Sequence, residues 1–108
     1  DTEIDAMATF FEEHKWLPTF RQLDQEMIAR GKQIHEDKCV RCHLGEGRYT
    51  EYKLPRIGGQ WQNYLVIHLK NAKTSEFKQP QPKLMKKLLD DLTESDLAAL
   101  AEFYAAQE

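Results

Sequence analysis

Cys39-Val40-Arg41-Cys42-His43 brings two thiols and an imidazole together within five residues, and the chain has no other cysteine. Two cysteines at this spacing reach the two vinyl groups of one porphyrin and form thioether bonds, and the histidine that follows them ligates the iron. The pattern therefore predicts covalent attachment of one haem c, with His43 as an axial ligand.

Two other kinds of site also use a Cys-x-x-Cys pair. A thioredoxin-like dithiol site lies within a βαβ pattern, which the sequence lacks. A zinc site needs two further ligands at finger-like spacing, and His14, His35 and His68 do not supply that spacing. Haem attachment is therefore the favoured interpretation, with zinc binding and dithiol chemistry as the alternatives.

Length and composition fit one small domain. At 108 residues the chain is near the lower end of the size range in which side chains alone can fill a hydrophobic core. A buried haem would supply further apolar volume. A net charge of −3 argues against nucleic acid as a partner. No apolar run approaches the ~20 residues that a membrane span requires. Because covalent haem is normally attached after export in bacteria, we expect a periplasmic protein whose secretion signal has been removed.

Apolar residues recur at three- and four-residue intervals, and alternating strand patterns are absent, so the sequence predicts an all-α fold. Thr93-Glu94-Ser95-Asp96 resembles a capping box at the start of the last helix. Segments 44–59 and 78–82 contain the glycines and prolines typical of loops. The other helices are predicted over about 2–14 and 20–37, from near Gln60 onward, and over 84–89.

Several short motifs stand in the order found in small monohaem cytochrome c domains. Gly31-Lys32-Gln33-Ile34 precedes the haem motif, Pro55-Arg56-Ile57-Gly58-Gly59-Gln60 follows it, and Met85 stands seven residues before Leu92-Thr93. Over about residues 28–106 the sequence resembles the cytochrome c family, in particular the repeated domains of dihaem c-type cytochromes. Gly59-Gln60-Trp61 and Tyr64-Leu65 narrow the resemblance to the second domain of the haem subunit of flavocytochrome c sulfide dehydrogenase.

The resemblance implies Met85 as the second axial ligand, because the family takes its methionine from a segment well after the haem motif. A thioether opposite an imidazole favours ferrous iron and raises the reduction potential. His68 is the competing ligand. The alternative for Met85 is that it only packs beside Leu88 and Leu89 on an amphipathic helix.

The resemblance also implies roles around the haem. The Pro55 carbonyl would accept the free N–H of His43, which fixes the ring and tunes the iron. Gly59 would let the backbone pass close to the porphyrin, and ordinary turn geometry explains it equally well. Gln60 belongs to the same motif. Trp61 and Tyr64 would either donate hydrogen bonds to the propionates or fill the core.

Two helix positions are expected to matter for packing. Gly31 should permit a close crossing of the second and last helices near Leu100 and Phe103. Many related cytochromes carry an aromatic residue where this chain has His35, so packing there should differ. His35 itself is expected to be packed or to face solvent.

Residues 1–11 can be laid over residues 94–104 without a gap, and only Asp5/Ala98 and Thr9/Glu102 differ in character. Two copies of one amphipathic helix suggest an internal repeat, although short acidic helices also resemble one another by chance. We therefore expect residues 1–20 to be the remnant helix and linker of an upstream cytochrome repeat. Residues 21–108 would form the monohaem cytochrome c domain.

Charge is unevenly distributed along the second half of the chain. Residues 88–108 contain acids and no base, whereas segment 70–87 is basic with the single acid Glu76. Near Met85 these lysines could surround the haem edge and steer an acidic partner. The lysines of this segment are Lys70, Lys73, Lys78, Lys83, Lys86 and Lys87.

The resemblance implies electron transfer as a subunit rather than enzymatic activity of the chain alone. Its partner would be the FAD-containing flavoprotein of a sulfide dehydrogenase, and a downstream acceptor would receive the electrons. The alternative is a free periplasmic shuttle, which needs only a small and transient contact. A weaker possibility, if Met85 does not bind, is an open iron site such as that of a peroxidase.

Overall fold

The computed structural model describes residues 1–17, 23–51, 54–74 and 81–108. Within these ranges the chain forms five α-helices and one π-helical turn, without a strand, so the all-α prediction is confirmed. The predicted helix start at 20–22 and the predicted loop residues 78–80 lie outside the described residues. The elements are α1 (Thr2–Glu12), α2 (Gln25–Ile34), the π-helical turn (His35–Cys39), α3 (Gln62–Lys73), α4 (Lys83–Asp90) and α5 (Glu94–Ala105).

The core is built around α5, which packs against α2 and α3, while α4 packs against α3. Every residue of α5 from Ala99 to Ala105 is buried, including the rings of Phe103 and Tyr104. Burying a large apolar side chain contributes roughly 1.5–3 kcal/mol, so this one helix supplies much of the stability. The buried residues that join it from other segments include Leu65, Ala72, Leu89 and Leu92.

Side-chain caps determine where α5 and α2 begin. The Thr93 side chain accepts the Asp96 N–H and the Asp96 side chain accepts the Thr93 N–H, which confirms the capping box. The Asp24 carboxylate accepts the N–H groups of Glu26 and Met27, so α2 begins at Gln25. The predicted helix is therefore not continuous through residues 23 and 24.

Three hydrogen bonds connect α2 and its N-cap to α5. The Asp24 N–H donates to the buried Glu102 carboxylate at 3.0 Å, and the Arg30 guanidinium donates to the Asp96 carboxylate at 2.5 Å and to the Ser95 hydroxyl at 2.7 Å. Because the latter bonds lie beside the capping box, they fix the start of α5 against α2. The haem motif begins at Cys39, the last residue of the π-helical turn that continues α2, so this packing positions the motif.

Helix α1 differs from the rest because none of its residues is buried. Asp1 caps it by accepting the Glu3 N–H at 2.7 Å. After α1, the Trp16 side chain contacts the rest of the domain. The Arg56 guanidinium lies 4.5 Å from the centre of the Trp16 ring. In residues 1–17, therefore, α1 is exposed and Trp16 contacts the rest of the domain.

Candidate functional site

The haem motif continues the helix that precedes it. The Val40 N–H donates to the His35 carbonyl at 2.8 Å, and the N–H groups of Cys42 and His43 donate to the Cys39 carbonyl at 3.2 and 2.9 Å. Residues three and four apart on a helical turn share one face. This turn therefore presents both thiols and the imidazole on the same side, as attachment to one flat macrocycle requires.

The two thiols are free of each other and differ in environment. Cys39 is half-buried, whereas Cys42 is exposed. Burial raises the pKa of the Cys39 thiol, an effect that Tyr104 and Lys38 oppose. Both sulfurs are therefore available for separate thioether bonds rather than for a structural disulfide.

The imidazole of His43 is suited to metal ligation. Burial, together with the nearby His35, lowers its pKa and favours the neutral ring, which is the form that binds metals. Its Nδ1 is buried and has no hydrogen-bond partner within the described residues. A neutral ring with such an unsatisfied nitrogen, beside two thiols on the same turn, fits a haem c.

The hydrogen bond expected between His43 Nδ1 and the Pro55 carbonyl is not formed in this structure. Pro55 is exposed. Its loop is fixed elsewhere, since the N–H groups of Ile57 and Gly58 both donate to the Gly47 carbonyl at 2.9 Å. These bonds hold the loop to the turn after the haem motif and leave the Pro55 role a prediction.

Both candidates for the second axial position are partly accessible. Met85 is half-buried on α4 and packs against the core. His68 is half-buried on α3, and the Tyr64 ring stacks on it with centroids 5.4 Å apart. Met85 as the ligand stays a prediction.

Gly59 is required by its protein neighbours. Its φ of +84° lies in the region that favours glycine, and an added Cβ would lie 2.5 Å from Trp16 Nε1 and 3.1 Å from the Gln107 carbonyl oxygen. The close approach at this position is therefore to Trp16 and to a residue just after α5. The contact of Gly59 with the porphyrin stays a prediction.

The remaining residues of the motif lie near the surface. Trp61 is 59% and Tyr64 52% exposed, so neither fills the core. Gln60 is half-buried, and its side-chain amide donates to the Arg56 carbonyl at 3.5 Å. Large apolar side chains left exposed near the haem motif and at the start of α3 and α4 fit a site that a bulky apolar group would cover. They are Val40, Leu44, Trp61, Tyr64 and Leu84.

The sequence did not indicate a buried polar chain behind the haem motif. His35 and Tyr104 are each 2% exposed, and His35 Nδ1 lies 2.8 Å from the Tyr104 hydroxyl. Cys39 packs against the core cluster that contains Tyr104, and the Tyr104 hydroxyl opposes the rise in the pKa of the Cys39 thiol. The spacing in the sequence could have indicated this arrangement, because His35 precedes Cys39 by four residues and therefore lies on the same helical face.

Three lysines of the basic segment have partners in the structure. The Lys70 ammonium lies 3.8 Å from the Glu94 carboxylate. The Lys86 ammonium donates to the Lys73 carbonyl and to the Asp90 carboxylate, both at 2.6 Å. The Lys73 ammonium donates to the Leu92 carbonyl. These bonds connect α3, α4 and the start of α5, so Lys86 and Lys73 differ from the exposed Lys83 and Lys87.

Within the described residues, no group of three or more His, Cys, Asp or Glu side chains is placed to hold a metal ion. No helix in these ranges has the length and apolar character needed to cross a bilayer.

Comparison with known proteins identifies the family. Residues 28–105 match the cytochrome c family. Cytochrome c-554(548) of Halomonas halodenitrificans is 32% identical over 76 residues, which make up 68% of this chain and 92% of that protein. No solved structure gives a significant match. The chain therefore belongs to the cytochrome c family, whose members transfer electrons through a covalently bound haem c.

Proposed function

We propose that this cytochrome is the electron-accepting subunit of a periplasmic, sulfide-oxidising flavoprotein complex. One haem c, held by Cys39, Cys42 and His43 with Met85 as the second axial ligand, accepts electrons from an FAD-containing partner. It then passes them to a downstream acceptor. Sulfide reacts at the flavin of the partner, so this chain has no substrate chemistry of its own.

The observation that carries this proposal is the uncovered apolar face of α1. Residues 1–11 match residues 94–104 in sequence, yet the matched apolar positions are buried in α5 and exposed in α1. A monomeric protein rarely leaves such a stripe in water, which supports a stable protein partner on this face. The matched pairs, with their exposed fractions, are Ile4 (66%) and Leu97 (1%), Met7 (61%) and Leu100 (1%), Phe10 (53%) and Phe103 (3%), and Phe11 (66%) and Tyr104 (2%).

This match also supports the proposed division of the chain. Residues 1–20 correspond to the last helix and linker of an upstream cytochrome repeat, and residues 21–108 to the monohaem domain. In the complex, the flavoprotein covers the face of α1 that would pack inside such a repeat. The narrow sequence resemblance in Gly59-Gln60-Trp61 and Tyr64-Leu65 points to the same kind of complex.

The residues of the chain act by holding and tuning the cofactor. Haem iron cycles between ferrous and ferric states and so carries one electron at a time. The two thiols hold the group permanently, because thioether bonds survive every oxidation cycle. His43 provides a neutral nitrogen ligand and Met85 a soft sulfur ligand, a pair that favours the reduced state.

A free periplasmic shuttle is the second candidate. It is favoured by the match to cytochrome c-554(548), because 92% of that protein is covered by this chain alone. A shuttle needs only a small and transient contact, and it does not explain the exposed face of α1.

Size-exclusion chromatography of the protein from its native source, with haem and flavin absorbance recorded together, separates the two candidates. Co-elution of both in a peak far above the 12.7 kDa of this chain supports the complex. Haem alone at the size of a small monomer contradicts it and favours the shuttle.

Variants of α1 test the docking face directly. The triple variant I4Q/M7Q/F11Q should elute separately from the flavin while retaining its haem spectrum, because these side chains lie outside the core of the domain. Ile67→Gln is the matched control, since Ile67 is also 61% exposed but lies on α3. Loss of flavin from both variants, or from neither, would contradict a role of α1 in docking.

A further inference from the structure

His35 and Tyr104 form a buried hydrogen-bonded pair beside the half-buried Cys39 thiol. The Tyr104 hydroxyl lies 2.8 Å from His35 Nδ1. Cys39 packs against the core cluster that contains Tyr104, and the Tyr104 hydroxyl opposes the rise in the pKa of the Cys39 thiol. The His35 and Tyr104 rings meet edge to face, with centroids 5.4 Å apart and planes at 89°. Since both side chains are 2% exposed, water does not compete for these bonds.

The backbone fixes the tyrosine from two sides. A Cβ on Gly47 would lie 3.1 Å from the Tyr104 ring, so the turn after the haem motif covers the ring closely. The Gly59 N–H donates to the Tyr104 carbonyl at 2.8 Å. The hydroxyl is therefore held between His35 and Cys39.

The number of available protons determines which group donates and which accepts in these hydrogen bonds. A cysteine thiol has a proton, so a free Cys39 can either donate to the Tyr104 oxygen or accept from it. A thioether sulfur has no proton and can only accept. Tyr104 has a single O–H, which cannot be donated to both neighbours at once.

We propose that in the haem-bearing protein Tyr104 donates its O–H to the Cys39 sulfur and accepts the Nδ1–H of His35. His35 is thus a positioning residue, held as the Nδ1–H tautomer, which orients Tyr104 and through it one of the two haem attachments. This inference rests on the proposed attachment at Cys39 but not on the proposed flavoprotein partner. In the opposite direction the single O–H of Tyr104 would go to His35, and the Cys39 sulfur would receive no hydrogen bond from it.

The direct test is the protonation of the His35 ring in the isolated holo-protein. Nitrogen-15 NMR distinguishes a protonated from an unprotonated ring nitrogen, and no variant is needed. We expect a proton on Nδ1 and none on Nε2. A proton on Nε2 with a bare Nδ1 would overturn the proposal.

Reduction potentials test the effect at the haem. A hydrogen bond donated to the sulfur withdraws electron density from the attached macrocycle and stabilises the ferrous form, so Y104F should shift the potential to a more negative value. Y49F is the matched control, because Tyr49 is 56% exposed, and it should leave the potential unchanged. Equal potentials in Y104F, Y49F and the wild type would contradict the proposal.

The role of His35 is separated from simple packing by two substitutions. H35F keeps an aromatic ring but removes the donor, and H35N restores an N–H near the position of Nδ1. We expect H35F to shift the potential in the same direction as Y104F, H35N to reverse that shift, and H35F to add nothing in the Y104F background. A purely structural role would lower the unfolding temperature in these variants and leave the potential unchanged.

Discussion

Gly31 of α2 and Ala99 of α5 cross with no room for a methyl group between them. A Cβ on Gly31 would lie 2.1 Å from the Ala99 carbonyl oxygen and 2.7 Å from Phe103 Cβ. This close crossing positions the haem motif. The π-helical turn that leads to the motif begins at His35, four residues after Gly31, and His35 lies against Tyr104. The expected role of Gly31 near Phe103 is confirmed.

Replacing Gly31 by alanine should destabilise the domain. Forcing a methyl group into a packed contact typically costs about 1–3 kcal/mol or more, and the gain in helix propensity recovers only about 1 kcal/mol. We expect a net loss of about 2 kcal/mol in the free energy of unfolding, measured by denaturant titration. Lys32→Ala, at the next and exposed position, is the control. Equal stability of the two variants would contradict a crossing this close.

Met85 is tested by opening the iron to external ligands. If Met85 ligates the iron, M85A should bind cyanide and carbon monoxide readily, whereas the wild type resists both. The reduction potential should fall by on the order of 0.1 V, since axial ligation spans ~0.8 V among haem proteins. H68A is the matched variant and should keep the wild-type resistance. Ready ligand binding in H68A with resistance in M85A would assign the second position to His68.

The haem motif and the helices could be predicted because they are local. Two thiols and an imidazole within five residues identify the cofactor, and the capping box at Thr93 predicts the start of α5. The Asp24 cap was missed because a helix-like apolar pattern extends upstream of it. His35–Tyr104 was missed because its partners are 69 residues apart and meet only through the α2–α5 crossing.

Neutralising the exposed lysines of α4 should slow electron transfer to an acidic partner. In K83Q/K87Q we expect a roughly three- to tenfold lower second-order rate at low salt, a loss that disappears at high salt as screening removes the steering. Stopped-flow kinetics across ionic strength measures it.

K86Q is the informative comparison for that patch. Because the Lys86 ammonium holds the Lys73 carbonyl and Asp90, its loss should reduce stability more than it reduces the rate. A rate for K83Q/K87Q equal to wild type at low salt would show that α4 does not face the partner.

His35 should make the domain sensitive to acid. Burial lowers its pKa, an effect that Glu46 and Glu36 oppose, so the folded chain binds fewer protons at this ring than the unfolded chain does. The stabilisation is complete above the ordinary value of 6.5 and is lost as the pH falls below it towards the lower pKa of the folded state. H35F has no group to protonate at this position. We expect its free energy of unfolding to fall less steeply with acid, by up to ~1.4 kcal/mol per pH unit. Denaturant titrations between pH 4 and 8 measure both slopes, with H14Q as the control for removing an exposed histidine. Parallel curves for H35F and the wild type would contradict a buried, neutral His35.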